Sequence, residues 1–278
     1  MNKELVHRHH DAEVLLTNPH LTENAVSFGF RLNPSHRMSP PSGEDAPFVV
    51  MLEFARQLGI GASHLLGKVP QDLVAIAARL GFAWEGKPVP HALINSPRTK
   101  AIVRFLDLTA LPDGTYVAEL VSEIKYHRQK IASAWGTITW VRSRTYRRLR
   151  GRGLLNTTAD TFCEPRFLAD ELHTSRWVQG ILNWDCTNTF FFDHHSDHIP
   201  GMIFAAAALE AHLLLPKGGI PSSIDLHFRR YGELTAPVNS ETELDNPRNP
   251  KGTLTTYTQN GQSICTVSIR SIHSADNS

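Results

Sequence analysis

The sequence predicts an α+β protein in which one structural plan is used twice. Two strongly apolar segments begin at Pro47 and Pro200, and proline is favoured in the first turn of a helix because its φ is fixed there. Each segment follows a candidate strand and a polar loop, and each precedes about four segments with the pattern of antiparallel strands. This shared order predicts two repeats, each with one buried helix and one sheet.

Composition and charge indicate a soluble globular protein. The 278 residues suffice for one large domain or two ordinary ones, and 41% are apolar. A net charge of +1 gives no global field that would gather nucleic acid or acidic membrane. No apolar run approaches the ~20 residues that span a bilayer, and the first residues lack the apolar core of a signal peptide. The three cysteines are widely spaced, which favours reduced thiols over a disulfide framework or a zinc site. We expect a cytoplasmic protein with no membrane and no nucleic-acid partner.

The first half begins with a polar segment, residues 1–24, which we interpret as an arm or a short strand leading inward. Its histidines, His7, His9 and His10, are expected to be solvated. A strand at 25–32 and a proline-rich loop then lead into a helix at 47–66. Four strands are expected to follow, at 73–84, 98–108, 115–126 and 131–143.

The second half has the same order. A strand at 175–184 precedes a histidine-rich loop, and a helix begins at Pro200. Further strands are expected near 221–230, 236–245, 251–259 and 261–272. Between the halves, six of the eleven residues from 142 to 152 are arginine, which favours a solvated linker. We assign 1–24 to an N-terminal arm, 25–145 to the first repeat, 146–173 to a linker and 174–278 to the second repeat.

Superimposing the two opening prolines aligns the helices residue by residue. Glu53 then lies over Ala206, Arg56 over Leu209 and Gln57 over Glu210. A curved antiparallel sheet wrapped around a central helix is a hotdog domain, so two repeats predict a double hotdog. The alternative is two unrelated α+β domains.

The loop before the second helix concentrates titratable side chains. Asp193, His194, Asp197 and His198 lie directly ahead of Pro200. A helix N-terminus favours developing negative charge through its unpaired N–H groups and its dipole, so acid and base groups here predict an active site. The alternative is a histidine-rich loop that caps a core helix.

A resemblance to a known family rests on three motifs. Phe-Phe-Phe-Asp193-His194-x-x-Asp197-His198-Ile-Pro200-Gly201-Met202 resembles the signature of the A-factor biosynthesis (AfsA-type) hotdog family. The segment around Val6-His7-Arg8 and the motif Glu53-x-x-Arg56-Gln57 resemble the family's N-terminus and first helix. Members are similar to synthases that begin γ-butyrolactone autoregulator assembly. The resemblance implies transfer of a β-ketoacyl group from an acyl carrier protein to the hydroxyl of dihydroxyacetone phosphate.

The same resemblance implies partners and cofactors. The partners would be an acyl carrier protein and a small hydroxylated acceptor, and no cofactor is expected beyond the phosphopantetheine that carries the substrate, or coenzyme A in its place. No metal is expected, because no distant ligand completes the cluster of His194, His195, Asp197 and His198. Whether the chain is a monomeric double hotdog or a homodimer stays open, as do the acyl chain length and the acceptor.

Catalytic roles can be assigned to the loop residues. His194 or His198 would serve as general base, and resemblance to carrier-protein dehydratases favours His194. Asp193 or Asp197 would orient a histidine, with helix capping as the alternative for Asp197. The alternative for each histidine is a loop-ordering hydrogen bond. The amides of Gly201 and Met202 would polarise a thioester carbonyl.

Glu53 is expected to face inward on an apolar helix, as a catalytic acid or as the partner of Arg56 in a buried ion pair. Arg56 and Gln57 are assigned to substrate binding. In related-looking hotdog enzymes one repeat supplies the histidine and the other the acid, so the resemblance implies that Glu53 and His194 or His198 share one substrate. The loss of glutamate at Ala206 would leave the second, symmetry-related site incomplete.

The arginine run has a second interpretation as a docking patch. Arg147, Arg148 and Arg150 would contact the acidic surface of a carrier protein. Two other functions remain open for the whole chain. One is hydrolysis or dehydration of an acyl thioester on the same fold, and the other is a catalytically silent module that binds an acyl ligand.

Overall fold

A computed structural model describes residues 1–41, 43–151 and 166–272 of the chain. The chain forms two compact units, residues 1–151 and 152–278. Within the described ranges, no helix is long and apolar enough to cross a bilayer.

The first unit is built around helix α1 (Phe48–Leu65). Its strands are β1 (Leu16–Leu21), β2 (Val26–Phe30), β3 (Val74–Trp84), β4 (Thr99–Ala110), β5 (Tyr116–Tyr126) and β6 (Gln129–Val141). They form an antiparallel sheet in the order β1-β2-β4-β5-β6-β3. Two short helices, α2 (His91–Ile94) and α3 (Ser143–Arg150), complete the unit. A side chain at Gly59 would lie 2.9 Å from Ile138, so glycine there lets α1 pack closely on β6.

The second unit repeats this topology around helix α4 (Gly201–Leu214). Its strands are β7 (Leu168–His173), β8 (Trp177–Leu182), β9 (Ile220–Phe228), β10 (Asn239–Leu244), β11 (Gly252–Gln259) and β12 (Gln262–Ile272). The antiparallel order β7-β8-β10-β11-β12-β9 matches that of the first unit strand for strand. Two sheets of the same order, each with one largely buried helix, confirm the predicted double hotdog.

The alignment of the two helices is reproduced by one pair of contacts. Oε1 of Gln57 accepts a hydrogen bond from the backbone N–H of Leu15 at 2.8 Å. Oε2 of Glu210 accepts one from the N–H of Phe167, also at 2.8 Å. Leu15 and Phe167 each directly precede the first strand of their unit. The residue ten positions after the opening proline therefore anchors the same point of the sheet in both repeats.

The N-terminal segment is not a solvated arm. Residues Lys3–Val6 and Asp11–Glu13 form 3-10 helices. Strand β1 pairs with β2, in agreement with the other interpretation of this segment, a short strand leading inward. The expectation that His7 is solvated is wrong, because its ring stacks on His64 with centroids 5.2 Å apart and meets the edge of Trp140. His9 and His10 are exposed, as expected.

The arginine run is also more ordered than predicted. Its described part is largely helix α3, which ends at Arg150 and is followed by Gly151 at a positive φ of 52°. Arg147 and Arg148 are exposed on α3, whereas Arg150 is buried. Arg150 therefore cannot belong to an exposed docking patch, which corrects that assignment. Of the predicted linker, 152–165 lie outside the described residues, and 168–173 form strand β7.

Candidate functional site

The histidine loop of the second unit is anchored at its start by aromatic packing. Phe190 and Phe191 are buried, and the Phe191 ring packs edge-on against Phe190 and Phe167 at centroid distances of 5.1 and 5.3 Å. The carbonyl of Asn188 accepts hydrogen bonds from the N–H groups of Phe191 and Phe192. The phenylalanines thus fix the backbone from which Asp193 and the histidines follow.

The other end of the loop is fixed at the start of α4. Ile199 is buried, and its N–H donates to the carbonyl of Gly232 at 2.8 Å. Pro200 is the residue flanking the helix, and Gly201 is its first residue. A side chain at Gly201 would lie 2.8 Å from the ring of Phe228. A larger residue here would displace the Phe228 ring, which packs directly against the helix start.

His198 and Asp197 form the closest acid–base pair in this loop. Nδ1 of His198 lies 2.6 Å from Oδ1 of Asp197, and the imidazole packs edge-on against Tyr231 at 5.0 Å. The carboxylate accepts, so Nδ1 carries the proton and Nε2 is the basic nitrogen. The His198 side chain is 32% exposed and that of Asp197 is 14% exposed. An oriented imidazole that solvent still reaches has the geometry of a general base.

His194 has a different environment. It is exposed, and its Nδ1 lies 2.9 Å from the carbonyl oxygen of His195. This bond orders the loop and also leaves Nε2 as the basic nitrogen, but the orienting group is a neutral carbonyl. Asp193 is buried at the start of the loop. Of the residues that the sequence singled out here, the structure directly pairs Asp197 with His198.

The first turn of α4 follows this pair immediately. The N–H of Ile203 donates to the carbonyl of Pro200 at 3.0 Å. The amides of Gly201 and Met202 are the first two of the helix, where N–H groups have no acceptor within the helix. Partial positive charge at this end favours an oxyanion.

Glu53 lies at the centre of a buried charge cluster in the first unit. Its Oε1 is 2.6 Å from Nη2 of Arg8 and 2.9 Å from Nη2 of Arg56, and its Oε2 is 2.8 Å from Nε of Arg56. Gln57 donates to Oε1 at 2.7 Å. The Glu53 and Arg8 side chains are 1% and 5% exposed. This is the buried ion pair of the alternative interpretation, extended by a second arginine.

The cluster holds Glu53 in its ionised form. Burial alone would raise the pKa of this carboxyl, but the charges of Arg56 and Arg8, with hydrogen bonds from Arg56 and Gln57, outweigh burial and lower the pKa to about 2. A carboxyl with that pKa carries no proton at neutral pH. The geometry of Glu53 is that of an ion-pair partner, and a catalytic role for it stays a prediction.

Arg8 was not singled out from the sequence as a site residue. The family resemblance of the segment around Val6-His7-Arg8 marked this region of the chain. It did not indicate that Arg8 contacts Glu53, because the two residues are 45 positions apart in the sequence. A second buried pair was also missed, in which Nε2 of His36 lies 3.0 Å from the carboxylate of Glu13. Gln57 links the two pairs through a bond to the Glu13 carbonyl.

The two halves of the proposed acid–histidine site belong to different units. Glu53, Arg56 and Gln57 come together in the first, and Asp197 and His198 in the second. The expectation that Glu53 and a histidine act on one substrate stays a prediction. Among the described residues, no group of three His, Cys, Asp or Glu side chains has an arrangement that would hold a metal ion.

Comparison with known proteins identifies the family. The family model of AfsA, the A-factor biosynthesis hotdog domain, matches residues 1–84 and 165–273. This chain belongs to the A-factor biosynthesis hotdog family. A curated relative from Streptomyces virginiae, 2-oxo-3-(phosphooxy)propyl 3-oxoalkanoate synthase, is 25% identical over 266 residues, which cover 87% of this chain and 86% of the relative.

Solved structures show the same fold in other hotdog proteins. A putative oleoyl thioesterase from Lactobacillus plantarum is 11% identical with a TM-score of 0.53, covering 90% of this chain and 96% of its own. An acyl-ACP thioesterase from Bacteroides thetaiotaomicron has the same identity and TM-score over 90% and 99%. A MaoC-like dehydratase is 10% identical with a TM-score of 0.51 over 94% and 100%. At these identities the likeness establishes the fold of this family member and nothing about its substrate.

Proposed function

We propose that this protein is an acyltransferase that moves a β-ketoacyl group from a thioester to the hydroxyl of a small phosphorylated acceptor. The thioester is carried on the phosphopantetheine of an acyl carrier protein or of coenzyme A, and the product is a precursor of a γ-butyrolactone or related furan signal. Family membership supports this proposal. The name of the Streptomyces virginiae relative describes an ester between a 3-oxoalkanoate and a phosphorylated three-carbon alcohol.

The observation that carries the chemistry is the Asp197–His198 pair at the start of α4. An acceptor hydroxyl needs a base to become a nucleophile, and an imidazole with a fixed tautomer is suited to that task. The Asp197 carboxylate fixes that tautomer and stabilises the imidazolium that forms. We therefore assign the general base to His198, although resemblance to dehydratases favoured His194.

The reaction then balances as a simple acyl transfer. Nε2 of His198 takes the hydroxyl proton, and the acceptor oxygen bonds to the thioester carbonyl carbon. The amides of Gly201 and Met202 stabilise the oxyanion, because the partial positive charge at a helix N-terminus favours negative charge. The carbon–sulfur bond breaks, and His198 returns the proton to the departing thiolate. No metal is needed in this sequence of steps.

The remaining site residues have supporting roles in this proposal. Asp193 is buried at the start of the loop, while His194 orders the exposed part of the loop through the His195 carbonyl. Glu53 keeps its charge and positions Arg56.

Exposed arginines on α3 support a carrier protein as the donor. Arg147 and Arg148 are solvent-exposed, and so is Leu149 beside them, with 61% of its surface accessible. A basic surface attracts an acidic partner through complementary potential, which speeds encounter more than it strengthens the complex. We propose that these two arginines contact the carrier protein, without the buried Arg150.

Product analysis tests the proposed function. The protein would be incubated with a β-ketoacyl carrier thioester and, in turn, dihydroxyacetone phosphate, dihydroxyacetone, glycerol 3-phosphate or no acceptor, and the products would be identified by mass spectrometry. We expect a phosphorylated β-keto ester with the phosphorylated acceptor. Release of free acid at the same rate with every acceptor would instead establish a thioesterase. Binding of the thioester with no product under any condition would establish the silent acyl-binding module.

A further inference from the structure

Tyr231 packs directly against the imidazole of His198. The two rings meet edge-on, with centroids 5.0 Å apart and planes inclined at 69°. Edge-on contacts at about 4.5–7 Å are a favoured geometry of aromatic pairs. Tyr231 belongs to the segment between β9 and β10, so this contact joins the histidine loop to a part of the second unit that is distant in sequence.

The backbone at Tyr231 is held close to the histidine loop. The carbonyl of the next residue, Gly232, accepts the N–H of Ile199 at 2.8 Å. Gly232 is buried, and a side chain there would lie 3.0–3.3 Å from Phe204, Ile199 and Ile264. Glycine allows this close approach, which fixes the base of the Tyr231 side chain relative to the loop.

The same segment is tied to the sheet by one buried side chain. Gln259, the last residue of β11, is 5% exposed. Its Oε1 accepts the N–H of Glu233 at 2.8 Å, and its Nε2 donates to the carbonyls of Glu233 and Ala236 at 2.8 and 2.7 Å. Tyr231 therefore projects from an ordered backbone, and its hydroxyl end is buried.

Asp197 alone does not fix the orientation of the base. Among the described residues, the His198 side chain has one polar contact, with Asp197, and one ring contact, with Tyr231. The terminal torsion of a histidine is soft, and a half-turn about it would carry Nδ1 away from the carboxylate. The Tyr231 ring occupies space beside the imidazole and opposes that rotation.

We propose that Tyr231 is a positioning residue for His198, whose ring keeps Nδ1 directed at Asp197 and leaves Nε2 for the acceptor hydroxyl. This role rests on the proposed function, in which His198 is the general base. A catalytic group must be held within about 0.5 Å and 10–20° of its productive geometry, and packing of the neighbouring side chains supplies that precision. The role belongs to the ring of Tyr231 and does not depend on its hydroxyl.

Steady-state kinetics of ester formation test this role. Tyr231→Leu would be compared with Tyr231→Phe, which keeps the ring, and with the matched control Tyr126→Leu. Tyr126 meets His127 edge-on at 4.6 Å in the first unit. We expect Tyr231→Leu to lower kcat by about 10- to 100-fold with KM unchanged for both substrates, since misplacing a catalytic group by about 1 Å costs up to about 10²-fold in rate. Tyr231→Phe and Tyr126→Leu should keep the wild-type kcat.

A double-mutant cycle separates positioning from a general effect on the fold. If Tyr231 acts through His198, Tyr231→Leu should not slow the His198→Ala variant any further. Slowing of both backgrounds by the same factor would overturn the proposal. So would a wild-type kcat for Tyr231→Leu, or a kcat for Tyr231→Phe as low as that of Tyr231→Leu.

Thermal unfolding shows whether each variant keeps its fold. If Tyr231→Leu does not fold, Tyr231→Met takes its place in every comparison, because an unbranched, flexible side chain fills the space without fixing the plane of the imidazole. The expected and contradicting results are the same as for Tyr231→Leu.

Histidine ¹⁵N NMR tests the orientation without turnover. Spectra of the wild type, Tyr231→Phe and Tyr231→Leu would be recorded well above the ordinary pKa of histidine, with His198→Ala identifying the signal. We expect the proton on Nδ1 in the first two and an average of both tautomers in Tyr231→Leu. The same single tautomer in all three would overturn the proposal. If the wild type forms no ester, the proposed function fails, and these spectra still decide whether Tyr231 orients His198.

Discussion

Arg8 contacts Glu53 through Nη2, which lies 2.6 Å from Oε1 of the carboxylate. The contact joins the N-terminal segment to the middle of α1 across 45 positions of sequence. Both side chains are almost fully buried, so neither charge is hydrated. The N-terminal segment is therefore part of the first hotdog unit and of its charge cluster.

Replacing Arg8 should destabilise the fold. We expect Arg8→Gln to lower the free energy of unfolding by about 3 kcal/mol. This value is at the lower end of the range for losing one partner of a buried ion pair, because Arg56 still contacts Glu53 in the variant. Urea denaturation measures the change. Lys87→Gln, an exposed cation in the same unit, is the control and should change stability by less than about 0.5 kcal/mol. Equal stability of the two variants would show that the Arg8 contact contributes nothing.

Stability should depend on Glu53 at acid pH. The pKa of Glu53 in the folded protein is about 2, below its ordinary value of 4.5. Its contribution is therefore fully present above pH 4.5 and is lost as the pH falls from there toward 2. The difference corresponds to on the order of 3 kcal/mol. Urea denaturation between pH 6 and about pH 2.5 should show a smaller acid-induced loss for Glu53→Gln than for the wild type. Parallel curves would contradict this assignment.

Gln57 should be a structural anchor. Gln57→Ala removes the acceptor of the Leu15 N–H and the donor to the Glu13 carbonyl, both at buried residues. We expect a loss of about 3 kcal/mol in the free energy of unfolding, since each unsatisfied buried group costs ~1–3 kcal/mol. Gln129→Ala, at an exposed glutamine at the start of β6, is the control in the same denaturation experiment. A cost no larger than that of the control would refute the anchoring role.

Much of the fold could be predicted because its signals are local. Proline at each helix start, alternation along the strands and the shared order of elements do not depend on distant contacts. The alignment of Gln57 with Glu210 was correct for the same reason, and both side chains hold the residue before a first strand. Helix α3 was missed because an arginine-rich segment resembles a solvated linker when its surroundings are unknown.

The site was less predictable because its chemistry depends on contacts between distant residues. The sequence showed an acid on an apolar helix, but not that Arg8 would reach Glu53 and keep it ionised. It showed two histidines with neighbouring aspartates, but not which imidazole would pair with a carboxylate. His7 was assigned to solvent because nothing in the sequence indicated its stacking on His64.

Carrier docking should depend on the exposed side of α3. We expect the double variant Arg147→Glu, Arg148→Glu to raise the KM for a carrier-protein thioester at low salt, with kcat little changed. The effect should shrink as salt is added, because exposed charges are screened within about 10 Å at 0.1 M salt. Arg128→Glu is the control for charge reversal elsewhere on the surface. A KM that is unchanged at low salt would leave α3 without a docking role.

The most direct test of the account is the rate of ester formation by loop variants, measured by mass spectrometry with β-ketoacyl carrier thioester and dihydroxyacetone phosphate. A general base is worth about 10²–10⁴-fold in rate, so we expect His198→Ala to slow ester formation by that factor while its thermal unfolding stays that of the wild type. Asp197→Asn should slow the reaction less, and His195→Ala, the matched control in the same loop, should leave it unchanged. An ester yield from His198→Ala equal to that of the wild type, or from His195→Ala as low as that of His198→Ala, would contradict the assignment of His198 as general base.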